Sequence, residues 1–556
     1  MRPKERRDSG QNDLFKGRLD QIVDMGHPLA KLAAAIDWGF VERRLGAVYT
    51  DAPGQPPLPT RLMAGLAILK HMDNLSDDAL TARWLENPYY QLFCGEEFFR
   101  HKTPFDRSSM TRWRQRMGEE RLNALLQESV ATATRTGAAK PADFTQTIVD
   151  TTVQPKAVAH PTDAKLTNRA REKLVRLAKR HGVALRQSYE RVGKRALIAY
   201  QRYAHAKQFK RANRALRTLR TYLGRVMRDI KRKIRGDEAK QAIFRHPLWL
   251  AERVSEQRQN QRGKKVYSLH APEVECIGKG KAHRPYEFGV KVSLATTLHR
   301  SKGGQFITHA KALPGNPYDG HTLAAVIPEI EAQIGASVER LVADRGYRGH
   351  NAPPDHRFKV YLSGQKRNVT KAIKRDLRRR AAVEPVIGHA KEEHRLGRNY
   401  LAHAAGDAIN AVLAAVGYNL YGAFLSRGLP IRSPWFKIVT ISSLARPRSA
   451  RGEFRGELAI IGADHHAAYL YTVGHRAQTM MQRCASAAKL RTANHSSARY
   501  IDRVVARVTA ASEYWSPQRQ FCAELQSTCF GFLFTSLRAM SPPEESRLSS
   551  PCARAR

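Results

Sequence analysis

The sequence predicts an α/β protein with an N-terminal helical region and a long basic insertion, and three observations support this. Residues about 20–140 have helical periodicity without strand signals. Strands and helices then alternate from about residue 145 to residue 425. A strongly basic helical stretch separates the first strand from the next. We therefore expect several domains, as 556 residues are too many for one ordinary core.

The charge balance predicts a polyanionic partner. The chain has 95 Lys and Arg against 50 Asp and Glu, a formal net charge of +45 and a pI near 10.5. A merely cationic soluble protein is the plain alternative. Because each neutralised phosphate releases counterions and strengthens binding, nucleic acid is the expected partner, ahead of a membrane surface.

The first domain, residues 1–140, is expected to be helical and to bind DNA. Ser76 precedes two acidic residues in "NLSDDALTARWLENP" and is a candidate N-cap. The stretch "DRSSMTRWRQRMG" suggests a second helix with a basic face formed by Arg112, Arg114 and Arg116. Short helices with such a face suit a helix-turn-helix binder, or else a small bundle that only packs on its neighbour.

The second domain, residues 141–428, begins with "FTQTIVDTTV", which predicts a strand ending at Asp150. A basic helical insertion is expected over residues 161–262. Residues 161–240 hold 25 Lys and Arg but only six Asp and Glu, and apolar residues recur at steps of three and four. The pattern predicts a long amphipathic helix or hairpin whose cationic face either is simply solvated or contacts phosphate.

Further strands are expected at "YEFGVKVSLATTL", "GGQFITHAKALPG", "VERLVADRGYRG" and "FKVYLSG", with helices at "YDGHTLAAVIPEIEAQIG" and "TKAIKRDLRRRAAVEPVIGHAKEEHRLG". Residues 429–556 are rich in Pro, Ser and Arg and have weak periodicity. This segment could be an added domain, a disordered tail or a frame-shifted extension. We assign it no chemistry.

No run of 18 apolar residues is present, and the charged start "MRPKERRDSGQNDLFKGRL" is unlike a signal peptide. The six cysteines are scattered and form no CxxC pair. Reduced thiols in the cytoplasm, with the protein associated with the nucleoid, are therefore expected.

Three acidic residues are candidate metal ligands. Asp150 follows "TIV", Asp344 follows "RLVA", and Glu384 stands in the helical stretch "RRRAAVEPVIGHAK". Asp344 alone is also an ordinary turn residue. Carboxylates delivered by separate elements suit Mg²⁺, which prefers oxygen ligands, and a pair of such ions can activate an attacking oxygen and stabilise a leaving one.

The residues around these carboxylates are candidates for phosphate binding. Arg380 and Lys391 lie on the same helical face as Glu384, where both can grip phosphate oxygens. Further candidates come from "VADRGYRGH" and from the glycine-containing "IGKGKAHRPYEFG": Arg345, Arg348, Lys279, Lys281 and Arg284. The latter stretch lacks Walker spacing, so no nucleotide cofactor is expected.

Several stretches together resemble the DDE transposases of bacterial insertion sequences, specifically the insertion sequence five branch. They are "TIVDTTVQPKAVAHPTD", "SLHAPEVECIGKGKAHRPYEFGVKVSL", "PGNPYDGHTL", "VADRGYRGH" and "RRRAAVEPVIGHAKEEHRLGRNYL". The helical stretches "RLMAGLAILKHMDNLSDDALTARWLENPYYQLFCG" and "FDRSSMTRWRQRMG" resemble the amino-terminal region of that family. The resemblance covers residues from about 20 to 425.

The resemblance implies a ribonuclease-H-like core, a mixed five-stranded sheet flanked by helices. It makes Asp150, Asp344 and Glu384 the catalytic, metal-binding triad, with two Mg²⁺ ions that Mn²⁺ can replace. Arg380 and Lys391 match the basic positions of the family's Tyr-Arg-Glu-Lys signature, whereas the Tyr position holds Leu377.

The activity implied is hydrolysis at the ends of the element followed by strand transfer into target DNA. The implied partners are double-stranded DNA, namely the terminal inverted repeats and the target, and a second copy of the chain in a synaptic dimer. Two alternatives stay open: a DNA-binding protein without catalysis, and a nuclease of the same fold that does not transpose.

Overall fold

A computed structural model describes residues 17–49, 56–258, 261, 263, 265–278 and 285–425. Three candidate phosphate-binding residues, Lys279, Lys281 and Arg284, lie outside the described residues, as does the expected tail at 429–556. In the described part, no helix is both long and apolar enough to cross a membrane.

Among the described residues, seven α-helices precede the first strand. They are α1 (Leu19–Ile22), α2 (Pro28–Ala35), α3 (Trp38–Gly46), α4 (Thr60–Met72), α5 (Asp77–Glu86), α6 (Pro88–Phe93) and α7 (Arg107–Arg135). The expected N-cap is present, because the Ser76 hydroxyl accepts a hydrogen bond from the Ala79 backbone N–H. Helix α7 is capped by Asp106, and Gly118, with φ of 67°, kinks it.

The N-terminal helices share one hydrophobic core with the sheet. Every residue of α4 except Arg61 is buried. The same apolar cluster contains Leu66 and Leu125 from these helices, Val292 and Ile307 from the sheet, and Val416 near the end of the described chain. The boundary expected near residue 140 therefore does not separate two cores.

The sheet has six strands: β1 (Gln146–Pro155), β2 (Glu275–Gly278), β3 (Tyr286–Thr297), β4 (Ile307–Leu313), β5 (Arg340–Ala343) and β6 (Val360–Leu362). Its order is β2-β3-β1-β5-β6, with β4 also pairing with β3. β1 runs antiparallel to β3 and parallel to β5, and β6 is parallel to β5. The protein is thus α/β with a mixed sheet, as predicted, but the described residues form six strands where the resemblance implies five.

The prediction that the first strand ends at Asp150 is wrong. Asp150 pairs with Leu294 in the middle of β1, and the ladder continues to Pro155 opposite Gly289. The strand is longer because β3 offers a matching edge over its whole length, which the local sequence does not reveal.

The insertion consists of four helices where the sequence suggests one long helix or a hairpin. They are α8 (Asp163–Arg180), α9 (Glu190–His205), α10 (Phe209–Lys233) and α11 (Glu238–Glu256). Their apolar stripes form a separate core that includes Leu174, Leu223, Ile230 and Phe244. Apart from the buried Arg171, the cationic residues of these helices are therefore left on the outside of the bundle.

Four helices complete the described part: α12 (Leu323–Ile334), α13 (Lys371–Arg379), α14 (Val383–Glu393) and α15 (His403–Leu425). Successive side chains of β1 point to opposite faces of the sheet, and a helix packs against each face. Val149 packs in a cluster with Ile327 of α12, whereas Ile148 packs with Val383 of α14. The sheet is thus flanked by helices.

Candidate functional site

The pairing of β1 with β5 places Asp150 beside Asp344. The parallel register pairs Ile148 with Val342. Asp150 lies two residues further along β1, and Asp344 is the first residue after β5, with its backbone still extended. Side chains two residues apart on a strand share a face. Because Ile148 and Val342 pack against Val383, Asp150 and Asp344 lie on the face where α14 begins.

Each of these two carboxylates has one oxygen held by the backbone. Asp150 Oδ1 accepts a hydrogen bond from the Thr151 backbone N–H at 2.8 Å. Asp344 Oδ1 accepts one from the Gly346 backbone N–H, also at 2.8 Å. Asp344 is therefore a turn residue and a candidate ligand at once, since its second oxygen remains directed toward the site.

A single guanidinium brings the three predicted carboxylates together. Arg380 lies in the 3-10 turn Arg380–Ala382, which joins α13 to α14. Its Nη2 is 2.8 Å from Asp150 Oδ2 and 3.7 Å from Asp344 Oδ2, and its Nη1 is 3.3 Å from Glu384 Oε1. Side-chain exposure rises from 13% for Asp150 to 38% for Asp344 and 66% for Glu384. The site is thus deepest at Asp150 and open at Glu384.

Burial dominates the electrostatics at Asp150. It raises the pKa of Asp150 to about 6, even though Arg380 and the Thr151 N–H act in the opposite direction. The negative charges of Asp344 and Asp319 raise this pKa further. The Arg380 Nε is itself buried without a hydrogen-bond partner among the described residues.

A fourth carboxylate, Asp319, was not predicted. Its Oδ1 accepts hydrogen bonds from Lys291 Nζ at 3.0 Å and from the Thr151 hydroxyl at 3.1 Å. A Cβ added at Gly346 would lie 2.9 Å from Asp344 Oδ1 and 3.5 Å from Asp319 Oδ2, so the glycine permits this close approach. The signal in the sequence is Lys291, a lone cation inside an apolar strand that needs an anionic partner.

Tyr347 lies beside the same acidic cluster and was also not predicted. Its hydroxyl is buried and has no hydrogen-bond partner among the described residues. Burial and the charges of Asp319, Asp150 and Asp344 raise the pKa of Tyr347 far above its usual range. The hydroxyl is therefore a neutral donor at the edge of the carboxylate site.

The predicted basic face of α7 needs a correction. Arg114 is only 5% exposed, and its guanidinium donates to Asp77 at 2.9 and 3.2 Å. Arg112 and Arg116 are exposed, and Arg116 lies over the Tyr49 ring. Positions 112 and 114 are about 200° apart on a helix, so they do not share a face.

Three further predicted cations, Arg345, Arg348 and Lys391, lie in the described part of the chain. Arg345 is exposed, and its Nε donates to the Ser363 carbonyl at 3.2 Å, which ties the Asp344 turn to the end of β6. Arg348 is exposed on the same turn. Lys391 is half-buried on α14.

The carboxylate set fits a hard divalent cation by its chemistry. Three oxygen donors surround one positive guanidinium, so the site attracts a cation and Arg380 occupies that position. In the part of the chain that the structure describes, no group of three or more His, Cys, Asp and Glu side chains is spaced for a metal ion. A metal ion would therefore require Arg380 to move away.

The family described as "Transposase domain (DUF772)" matches residues 17–116, which cover α1 to α6 and the beginning of α7. A curated relative, the "Uncharacterized protein ORF8 in nfe locus" of Rhizobium meliloti, is 51% identical over 209 residues. This match covers 38% of the chain and 100% of the relative. No solved structure matches the chain.

Proposed function

Because the chain belongs to a transposase family, we propose that it cleaves DNA at the ends of an insertion sequence and joins them to target DNA by DDE chemistry of the insertion sequence five branch. The observation that carries this proposal is the convergence of Asp150, Asp344 and Glu384 on Arg380, within 3.7 Å of its guanidinium. Three separate elements deliver these carboxylates, as a two-cation phosphodiester site requires.

The order of the sheet supports a ribonuclease-H-like core. Three antiparallel strands, β4, β3 and β1, are followed across the sheet by the parallel strands β5 and β6. A first carboxylate on the central strand and a second after the adjacent parallel strand belong to this arrangement. The four-helix insertion between β1 and β2 adds a basic surface beside it.

The roles of the residues follow from their burial and contacts. Asp150, Asp344 and Glu384 would hold two Mg²⁺ ions, or Mn²⁺ in their place, which as Lewis acids assist attack on the phosphodiester. The backbone N–H groups of Thr151 and Gly346 orient the two aspartates before any ligand binds. Arg380, once released from the carboxylates, is placed to bind a phosphate oxygen of the DNA, with Lys391 of the following helix α14 as a second candidate.

A cytoplasmic, nucleoid-associated location and a synaptic homodimer on double-stranded DNA are parts of the same proposal. The exposed cations Arg112, Arg116, Arg345 and Arg348 are its candidate DNA contacts in the described part.

A DNA-binding protein without catalysis is the second candidate. The observation that favours it is the position of Arg380, which neutralises the carboxylates and takes the place of a metal ion. In this case the chain would bind DNA through its basic surface and leave it intact.

Cleavage of DNA that carries the inverted repeats flanking the gene separates the two candidates. The transposase proposal expects Mg²⁺-dependent nicking at the repeat ends by the wild type. Asp344→Asn should abolish nicking and leave DNA binding nearly unchanged, because the carboxylate charge is needed for the cation and not for the grip on DNA. A wild type that shifts the DNA in a gel without cutting it in Mg²⁺ or Mn²⁺ supports the binding-only candidate. Cutting that ignores the repeats would indicate a nuclease that does not transpose.

A further inference from the structure

A cleft apart from the carboxylates lies between helix α8 and the segment 267–270. Its volume is about 360 Å³. Four cationic side chains line it from α8, namely Lys165, Arg169, Lys173 and Arg176. They follow one another at steps of four, four and three residues, so they share one face of the helix.

These cations are largely unneutralised. Within the described ranges, the side chains of Lys165, Arg169 and Arg176 have no ion pair or hydrogen bond. Lys173 Nζ donates to the Leu269 carbonyl at 3.1 Å, which joins the two walls of the cleft. A row of cations without acidic partners leaves a strong positive potential in a concave site.

The acidic residue that lines the cleft is already engaged by neighbours on its own helix. Glu172 Oε1 accepts a hydrogen bond from Asn168 Nδ2 at 2.7 Å and lies 3.5 Å from Arg171 Nη2. Arg171 is buried, so this contact draws the carboxylate toward the bundle. The row of cations is therefore left for an external anion.

The opposite wall is anchored to the sheet. Tyr267 packs on the Phe288 ring of β3 at 5.4 Å between centroids, and His160 contacts the same ring at 5.5 Å. Ser268 Oγ and His270 Nδ1 are hydrogen-bonded at 2.9 Å. From Asp150 to His160 the chain spans at most about 35 Å, roughly one turn of duplex DNA.

The length of the row selects the ligand. From Lys165 to Arg176 the helix makes eleven steps of about 1.5 Å, or about 16 Å in all. A DNA strand advances about 3.4 Å per phosphate along its axis, so the row matches roughly five phosphates. A compact anion would use only one end of it. We propose that the cleft between α8 and Tyr267–His270 binds the backbone of a DNA strand, about one helical turn or less from the carboxylate site. This inference rests on the proposed function only in taking DNA as the substrate.

The test measures binding of a fluorescent duplex of arbitrary sequence, about 30 base pairs long, to the full chain without divalent metal over about 50–200 mM salt. The cleft variant combines Arg169→Ala and Arg176→Ala, both at exposed positions. The control variant combines Lys179→Ala and Arg180→Ala, which remove two exposed cations of the same helix outside the cleft. Thermal melting of each variant confirms that it folds.

We expect the cleft variant to bind about 10- to 100-fold more weakly and its salt slope to fall by about 1.8, the value for two lost phosphate contacts. The DNA affinity and the salt slope of the control variant should change much less. Equal losses in both variants, or no loss in either, would overturn the inference. A third overturning result is that inorganic tripolyphosphate binds the wild type and not the cleft variant while DNA binding is unchanged.

This assay is independent of the proposed function. Because no divalent metal is present, the assay measures the contribution of the cleft to DNA affinity whether or not the chain can cut DNA. A wild type that cuts, with a cleft variant that binds normally, refutes the cleft alone. A wild type that does not cut, with a weakened cleft variant, refutes the cleavage proposal alone.

Discussion

The carboxylate of Asp150 is buried beside the Arg380 guanidinium, and burial has the larger effect on its pKa. The pKa of Asp150 is about 6 in the folded protein, above its ordinary value of 3.8. Between these two values the folded chain binds more protons than the unfolded chain, so its stability falls as pH rises through this window. The carboxylate is therefore maintained at neutral pH at a cost in stability, which is a common property of functional sites.

We accordingly expect Asp150→Asn to stabilise the protein by about 1–3 kcal/mol at pH 8, because the amide removes the cost of burying a charge. The advantage should disappear below about pH 4, where the wild-type carboxyl is protonated. Chemical denaturation at several pH values measures it. The control is Asp344→Asn, which changes a more exposed carboxylate near the same guanidinium. It should gain less unfolding free energy. An Asp150→Asn variant less stable than wild type at pH 8 would show that the bond to Arg380 outweighs burial.

Arg380 competes with a divalent cation for the same oxygens. Removing its charge with Arg380→Gln should tighten Mn²⁺ binding to the DNA-free protein by tenfold or more, since a unit charge 4 Å away contributes about 4 kcal/mol at an effective dielectric constant of 20. Electron paramagnetic resonance of free Mn²⁺ measures the affinity. The control is Arg345→Gln, a nearby cation that bonds a carbonyl rather than a carboxylate, and it should change little. Weaker Mn²⁺ binding by Arg380→Gln would mean that the guanidinium supports the site instead of blocking it.

At the scale of elements, a buried ion-pair network joins α4, α5 and α7. Asp77 accepts hydrogen bonds from Lys70 Nζ at 2.6 Å and from both terminal nitrogens of the Arg114 guanidinium. Burial raises the pKa of Asp77, but the two cations prevail and lower it to about 2. The folded carboxyl thus binds its proton less tightly than the unfolded one. Its stabilising effect is present above about pH 4 and lost as pH falls toward 2.

Asp77→Asn should cost about 3–5 kcal/mol of unfolding free energy at pH 7, because it leaves two buried cations without a carboxylate. The adjacent Asp78 pairs with Arg107 on the surface, so Asp78→Asn is a matched control that should cost less than about 1 kcal/mol. Urea denaturation of both variants measures the difference. Similar small losses would place the stability of the helical region in its apolar contacts alone.

Elements with strong local signals could be predicted from the sequence. Ser76 caps α5 and Gly335 ends α12, because capping depends on residues close in the chain. The end of β1 could not be predicted, since pairing with β3 carries it past Asp150. Neither could the burial of Arg114, which depends on its contact with Asp77, 37 residues away in the chain.

The candidate site could be predicted in part for the same reason. The three carboxylates were expected on separate elements, with Arg380 on the helix of Glu384, but their meeting point depends on the register of β1 with β5, and this is a tertiary property. Asp319 was missed because its role appears only through Lys291 and Thr151, both distant in sequence. The assignment of catalytic and metal-binding roles to these residues stays a prediction.

At the scale of the whole molecule, the net charge and the shared apolar core have different roles. In the proposed function, the net charge of +45 would provide a general attraction to DNA that weakens with salt. The apolar core that joins the N-terminal helices to the sheet gives the carboxylates a rigid support. The transposase-domain match covers α1 to α6 and the beginning of α7, and the carboxylates lie in the sheet and helices that follow.

The most direct measurement is anomalous scattering from Mn²⁺ in a crystal of the protein bound to DNA. The account predicts manganese peaks within about 2.5 Å of oxygens from Asp150, Asp344 and Glu384, with the Arg380 guanidinium withdrawn onto a phosphate. A DNA-bound crystal in saturating Mn²⁺ with no peak among these carboxylates, and with Arg380 still bonded to them, would contradict it.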